Sequence, residues 1–283
     1  AILIRNPYIP DRLMGLCVAL DDEQGQDNYK VGNKLLTKAK AIAAAADVPM
    51  AILNRMTTNV VGGILHTMTE YECGEVVMCL TDRTTGMPKS SLGEVIDGVV
   101  MGTHRELMAV RSIVPPGTLR RVVVSVPQKA EYEVGFYKWL EHICRIGEQL
   151  DCHLEFHAHP DTLPYIKGYM ATKHPNIRCE YKELLLWKQF LSLANKVGKS
   201  EMLIAVTARP GFISYQPSFD ALPLLLHRYF SHTSVMILYP DQWGEPSDTV
   251  SVFSPNGSAV TRQPHSLASL LRNLLLRNMD SGK

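Results

Sequence analysis

The sequence predicts an α/β chain built from two tandem parallel-sheet units, and three observations carry that prediction. Strand-like apolar runs alternate with helical stretches, the pattern of a parallel sheet with crossover helices. A Pro-Pro-Gly step at 115–117 interrupts the pattern, which then begins again. The second half also repeats the first: a shift of 127 positions lays Glu75–Leu80 on Met202–Thr207, Ser91 on Ser218, and Leu107–Val110 on Ser234–Ile237.

In the first half, Arg12–Leu20 reads as a strand and the alanine-rich Asn28–Ala46 as a helix, with Leu35, Leu36, Ala39, Ile42 and Ala43 at helical spacing. Strand Val48–Leu53, helix Val60–Tyr71, strand Glu75–Leu80, helix Ser91–Thr103 and strand Glu106–Val110 follow. In the second half, strand Arg120–Val126 is rich in β-branched residues and leads into a helix over Glu131–Leu150. Strand His153–His159, helix Leu163–Lys173, strand Ile177–Tyr181, helix Lys182–Lys196, strand Met202–Thr207, helix Phe219–Phe230 and strand Ser234–Tyr239 complete it. The expected domains are therefore 1–114, 118–242 and an extension over 243–283. In the extension, TVSVF and SAVTR read as a hairpin. Ser266–Asn278 reads as a helix with Leu267, Leu270, Leu271, Leu274 and Leu275 on one face, and such a stripe needs a partner.

The repeat has a deficit. Strand Arg120–Val126 and most of its helix have no counterpart ahead of Arg12, so the first unit is expected to lack its first strand. AILIRNP then reads as the last turn of the absent helix, with a short edge strand at Ile2–Ile4 as the alternative, and the chain reads as a fragment of something longer.

Composition narrows the function. Among 283 residues, 29 basic and 28 acidic side chains leave a net charge of +1, which argues against a protein that coats nucleic-acid phosphates. No apolar run approaches the roughly 18 residues of a membrane span, and Lys40 and Asp47 interrupt the most aliphatic stretch. The six cysteines show no CxxC pair and read as free thiols of a reducing compartment. No GxSxG elbow, P-loop, HExxH or GxGxxG occurs, so an enzyme is not expected. His153, Glu155, His157 and His159 alternate on one strand, but same-face neighbours lie about 7 Å apart, so a metal site is not expected. His153 and Glu155 are read as solvated.

The segments KLLTKAKAIAAAADVPM, RRVVVSVPQKAEYEVGFYKWLEHI, HAHPDTLP and SYQPSFDALPLLLHRYF ahead of SVMILYP resemble the cytoplasmic tail of bacterial sodium or potassium/proton antiporters of the second cation/proton antiporter superfamily. Such tails resemble tandem universal stress protein domains, which are flavodoxin-like. The resemblance implies a regulatory or assembly domain on the cytoplasmic side of the inner membrane, partnered by the transport domain of the same polypeptide and by a second copy. A free-standing tandem stress protein that binds adenine nucleotide is the alternative.

ATP-binding stress proteins resemble one another in an aspartate after the first strand and a Gly-x2-Gly-x9-Gly-Ser/Thr loop. Here LTDRTTGMPKSSLGEVIDG keeps Gly86 and Gly93 but places Glu94 where the hydroxyl belongs, and a carboxylate repels phosphate. TARPGFISYQPSFDALP has only Gly211, and Pro127 and Gln128 follow the strand. No cofactor is expected. Open α/β sheets bind ligands beyond the carboxyl ends of their strands. The candidates there are Lys129, His159, Asp161, Arg209, Ser214 and Tyr215 in the second unit, and Asp21, Asp82 and Arg83 in the first, with Lys129 and Arg209 as a cationic pair for an anion.

Overall fold

A computed structural model describes residues 2–5, 13–80 and 86–242, apart from the side chain of Lys188, together with the backbone of 251–253 and 259–261. Asp82, Arg83 and the leucine-striped segment 266–278 lie outside the described residues.

The elements run β1 (Leu13–Leu20), α1 (Gly25–Ala45), β2 (Met50–Thr57), α2 (Val60–Glu70), β3 (Glu75–Cys79), α3 (Glu94–Gly102) and β4 (Glu106–Arg111). The second unit follows as β5 (Arg121–Ser125), α4 (Phe136–Leu150), β6 (His153–Ala158), α5 (Leu163–Lys173), β7 (Cys179–Glu183), β8 (Glu201–Val206), α6 (Leu222–Tyr229) and β9 (Ser234–Tyr239). The expected hairpin is present as β10 (Ser251–Phe253) paired antiparallel with β11 (Ala259–Thr261).

Seven strands form one sheet in the order β3-β4-β9-β8-β5-β6-β7. Within it, β7-β6-β5-β8-β9 is a doubly wound parallel set whose switch point lies between β5 and β8. The last strands of the two units meet: β4 pairs antiparallel with β9, Leu107 opposite Tyr239 and Arg111 opposite Val235. A parallel pair, β1 and β2, forms a separate sheet. If the first unit followed the order of the second, a strand would stand between β1 and β3. That place is empty among the described residues, which explains why two sheets occur.

Alternation along the strands distributes the core over two faces. Val122, Val124, Leu154, Phe156, Ile204 and Val206 pack on Trp139, Leu140 and Ile143 of α4 and Ile166 of α5. Val123, Leu203, Ala205, Val235 and Ile237 face Val99 of α3, Leu226 of α6, Trp187 and Phe190. Ile2–Ile4 is a 3-10 turn, not an edge strand; Ile4 is buried on the α4 face and its carbonyl accepts from Arg145 at 2.9 Å.

Two expected helices differ. Lys182–Lys196 is not an α-helix, because β7 extends to Glu183 and a 3-10 helix covers Trp187–Leu193. Leu184, Trp187, Phe190 and Leu193 are buried at every third residue, the 3-10 repeat. The helix expected from Glu131 begins only at Phe136, after a 3-10 turn at Ala130–Tyr132. Gly135 explains the delay: a side chain there would stand 2.5 Å from the Asp241 carbonyl oxygen, so the chain passes this crossing before α4 can start.

Candidate functional site

A cavity of about 170 Å³ opens beyond the carboxyl end of β5. Three loops line it: Val126–Lys129 after β5, Leu184–Trp187 after β7, and Ile213–Gln216 after β8. It is smaller than the roughly 300 Å³ at which sites for drug-sized ligands begin. Lys129 sits in the left-handed region with φ of 68° and is exposed at the rim. Leu185, Leu186 and Ile213 give the rim an exposed apolar surface.

The lining residue Ser214 is held by Glu133, a buried carboxylate that sequence reading passed over. Its Oε1 accepts from the Ser214 amide at 3.0 Å and from the Ser214 hydroxyl at 2.6 Å, and its Oε2 accepts from the Gln242 amide at 3.4 Å. Buried polar groups need such partners. Two others beside the cavity have none: the Trp187 Nε1–H and the Ser125 hydroxyl are buried without a hydrogen-bond partner.

Of the nine candidates, Lys129, Ser214 and Tyr215 line the cavity. Ser214 is bound to Glu133, and the Tyr215 hydroxyl donates to Asp220 at 3.1 Å. His159 and Asp161 make a local pair at 3.2 Å at the start of α5, where Thr162 donates to Glu131, and they do not line the cavity. Asp21 follows β1 in the separate sheet, its amide donating to the Thr57 carbonyl. Asp82 and Arg83 lie outside the described residues.

Arg209 corrects the expected cationic pair. It is 3% exposed, and its guanidinium donates to the carbonyls of Val100 (3.0 Å), Pro240 (2.9 Å) and Arg105 (2.7 Å) and to the Gln242 side chain (3.1 Å). Burial brings its pKa down to about 10, against the pull of nearby Tyr239, Asp241 and Glu133. Since Val100 and Arg105 belong to the first unit, Arg209 ties the units together; four of its five N–H donors are taken up there, and it does not line the cavity. Lys138 does the same from α4, reaching the Gly74 carbonyl at 2.9 Å, Asp241 at 3.1 Å and Glu75 at 3.2 Å. His142 meets Glu106 at 2.7 Å, with both side chains buried.

The strand His153–His159 also departs from expectation. Glu155 is 1% exposed and engages Arg121 at 2.8 Å, Lys182 at 3.0 Å and His157 at 2.6 Å. Burial opposes the charge, but the hydrogen bonds from His157 and Lys182 and the charge of Arg121 prevail and hold the carboxyl near 2. Burial keeps His157 below its ordinary value, so a neutral ring donates its Nε2–H to Glu155. Among the described residues no group of three potential metal ligands occurs.

The first turn of α3 is met by the chain's own carboxylates. Asp97 turns back onto its own helix start: its carboxylate accepts from the Leu92 amide at 2.9 Å and from the Ser91 hydroxyl. Glu94 adds a second carboxylate in the same turn. The positive end of the helix is thereby answered from within.

No protein-family model matches the sequence, and no curated protein matches it either. Solved structures do. A universal stress protein from Archaeoglobus fulgidus DSM 4304 superposes with a TM-score of 0.54 at 12% identity, covering 82% of this chain and 88% of that one. A functionally unknown protein from Pseudomonas aeruginosa PAO1 gives 0.50 at 13%, over 82% and 83%. The cytoplasmic domain of a prokaryotic cation chloride cotransporter gives 0.50 at 11%, over 83% and 87%. The chain therefore has an α/β fold of the universal stress protein kind. Among the described residues no helix is long and apolar enough to cross a membrane.

Proposed function

We propose that this chain is a cytoplasmic regulatory and assembly module of a cation/proton antiporter, that it partners the transport domain of the same polypeptide, and that it works as a homodimer. The observation that carries the reading is the fastening of two stress-protein-like units by the β4–β9 pairing and by Arg209, in a fold shared over most of its length with a transporter's cytoplasmic domain. A module of this build has no need of chemistry; it acts by favouring one conformation of its partner. The reading frame leading into codon 1 tests it. A dozen or so hydrophobic spans fused in frame are the expected result, and a stop followed directly by a new start would overturn it.

The cavity supports a sensing role for a small anion. Lys129 at the rim supplies a positive charge and the lining residue Trp187 has a buried Nε1–H without a partner, beside the apolar side chains of Ile213, Leu185 and Leu186. Calorimetry and tryptophan fluorescence with ATP, ADP, cyclic dinucleotides and inorganic phosphate separate the readings. Tight adenine-nucleotide binding would favour the free-standing stress protein; no signal with any of them would discard the cavity as an anion site.

A further inference from the structure

The fold leaves apolar surface around the cavity that its own packing does not require. The three-residue spacing that leads into the 3-10 helix Trp187–Leu193 turns Leu184 and Trp187 into the core. The two residues between them are left facing outward, where polar side chains would serve. Instead Leu185 and Leu186 stand 53% and 64% exposed, and Ile213, on the loop after β8, is 55% exposed. Single exposed leucines need no explanation. These three line one cavity, so their apolar surface is gathered at one place.

Within that rim the chemistry is that of donors. Lys129 is the only charged residue among the described residues that line the cavity, and it stands in left-handed backbone, where glycine or asparagine would cost less. The Trp187 Nε1–H is buried without a hydrogen-bond partner, and such a donor is expensive to leave unmade. A carboxylate is the group that answers a cation and an N–H together.

Size limits what carries it. The cavity holds about 170 Å³. A space of about 150 Å³ takes a benzene-sized group, so this one has room for a single amino-acid side chain. A free ion seated there leaves Leu185, Leu186 and Ile213 in water. A carboxylate borne by a polypeptide brings neighbours that cover them. A buried central anchor surrounded by contacts that exclude water is the layout of a protein–protein hot spot.

We propose that the cavity beyond β5 is a docking site for a partner protein segment that presents an Asp or Glu side chain between aliphatic or aromatic residues. The carboxylate enters beside Lys129 and Trp187, and the flanking residues lie on Leu185, Leu186 and Ile213. The chain's own leucine-rich stretch Ser266–Asn278 contains no acidic residue and is not the occupant. The proposal goes beyond the free-anion reading and stands without it, because the flanks supply contacts that a free ion lacks.

Selection of a displayed library of random peptides, each about seven residues long, on the 283-residue chain tests the proposal, followed by titration of the strongest synthetic peptide. Enriched sequences should share an Asp or Glu with an apolar neighbour. Replacing that acid by its amide should weaken binding at least about tenfold, as should Lys129→Ala and Leu186→Ser, with the unfolding midpoint of both variants unchanged. Trp187→Phe, which keeps an aromatic ring and removes the Nε1–H, should weaken it too. Absence of enrichment, enrichment of sequences without an acidic residue, or affinity that survives Lys129→Ala and Leu186→Ser would overturn the proposal. So would acetate or inorganic phosphate binding as tightly as the peptide, which would assign the cavity to a free ion. Self-association of the chain that Leu186→Ser abolishes would overturn it as well, by assigning the surface to a second copy.

Discussion

Arg209 illustrates how one residue's partners decide its role. Its type and place after β8 mark it as an anion ligand in the sequence, yet three backbone carbonyls and Gln242 take up four of its five donors. No local pattern reveals that, because Val100 and Arg105 are distant in sequence and reach it only through the β4–β9 junction. Arg209→Ala leaves buried carbonyls without donors, and chemical denaturation should show a loss of about 3 kcal/mol. Lys129→Ala should leave stability unchanged within about 0.5 kcal/mol, the usual range for a surface change, and weaken any anion titrated into the cavity. The place of Ser214 and Tyr215 at the cavity was legible, because loops after strands line such crevices. Glu133 was not: it lies in the β5–α4 connection, and its role depends on Ser214 and Gln242 arriving from elsewhere.

At the scale of elements, most strands and helices could be read from periodicity alone. The failure at Lys182–Lys196 is instructive, since Leu184, Trp187, Phe190 and Leu193 recur at intervals of three. A spacing of three alone marks the tighter helix, and leucine-rich composition masked it. The late start of α4 was hidden for a different reason, because Gly135 is required by a backbone crossing rather than by its own conformation. Gly135→Ala should cost about 1–3 kcal/mol as the Asp241 backbone is pushed aside, read as a lowered denaturation midpoint. The α4–α5 contact carries a pH signature. His174 donates to Glu141 at 2.7 Å and meets Glu148 at 2.7 Å, and the bond to Glu141 raises its pKa in the folded chain. Its contribution is therefore complete below the ordinary histidine value and disappears as pH rises through the raised one. The His174 bond, joined by that from Tyr169, holds Glu141 near 2 against the cost of its burial. That carboxylate's contribution is present above its ordinary value of 4.5 and is lost as pH falls toward 2. His174→Gln should cost about 1 kcal/mol at pH 5.5, after allowance for solvent screening, and less at pH 8.5. A loss that does not change with pH would contradict the pairing.

For the whole molecule, the internal repeat was the most informative feature of the sequence. One shift relates strand, helix and strand over Glu75–Val110 to those over Met202–Ile237, and the structure shows the same elements at both places. It could not reveal how the units join, since an antiparallel β4–β9 pairing leaves no mark on either repeat. That junction makes the sheet continuous from β3 to β7, and the proposed regulation would use it to couple the cavity to the first unit. The most direct test reconstitutes the chain, with the polypeptide that precedes it, into vesicles and follows proton flux driven by a sodium or potassium gradient. Regulation through this module predicts that removing residues 1–283 leaves exchange intact but changes its rate and its response to cytoplasmic-side anions. Exchange that is identical with and without the module, across those anions, would contradict the account.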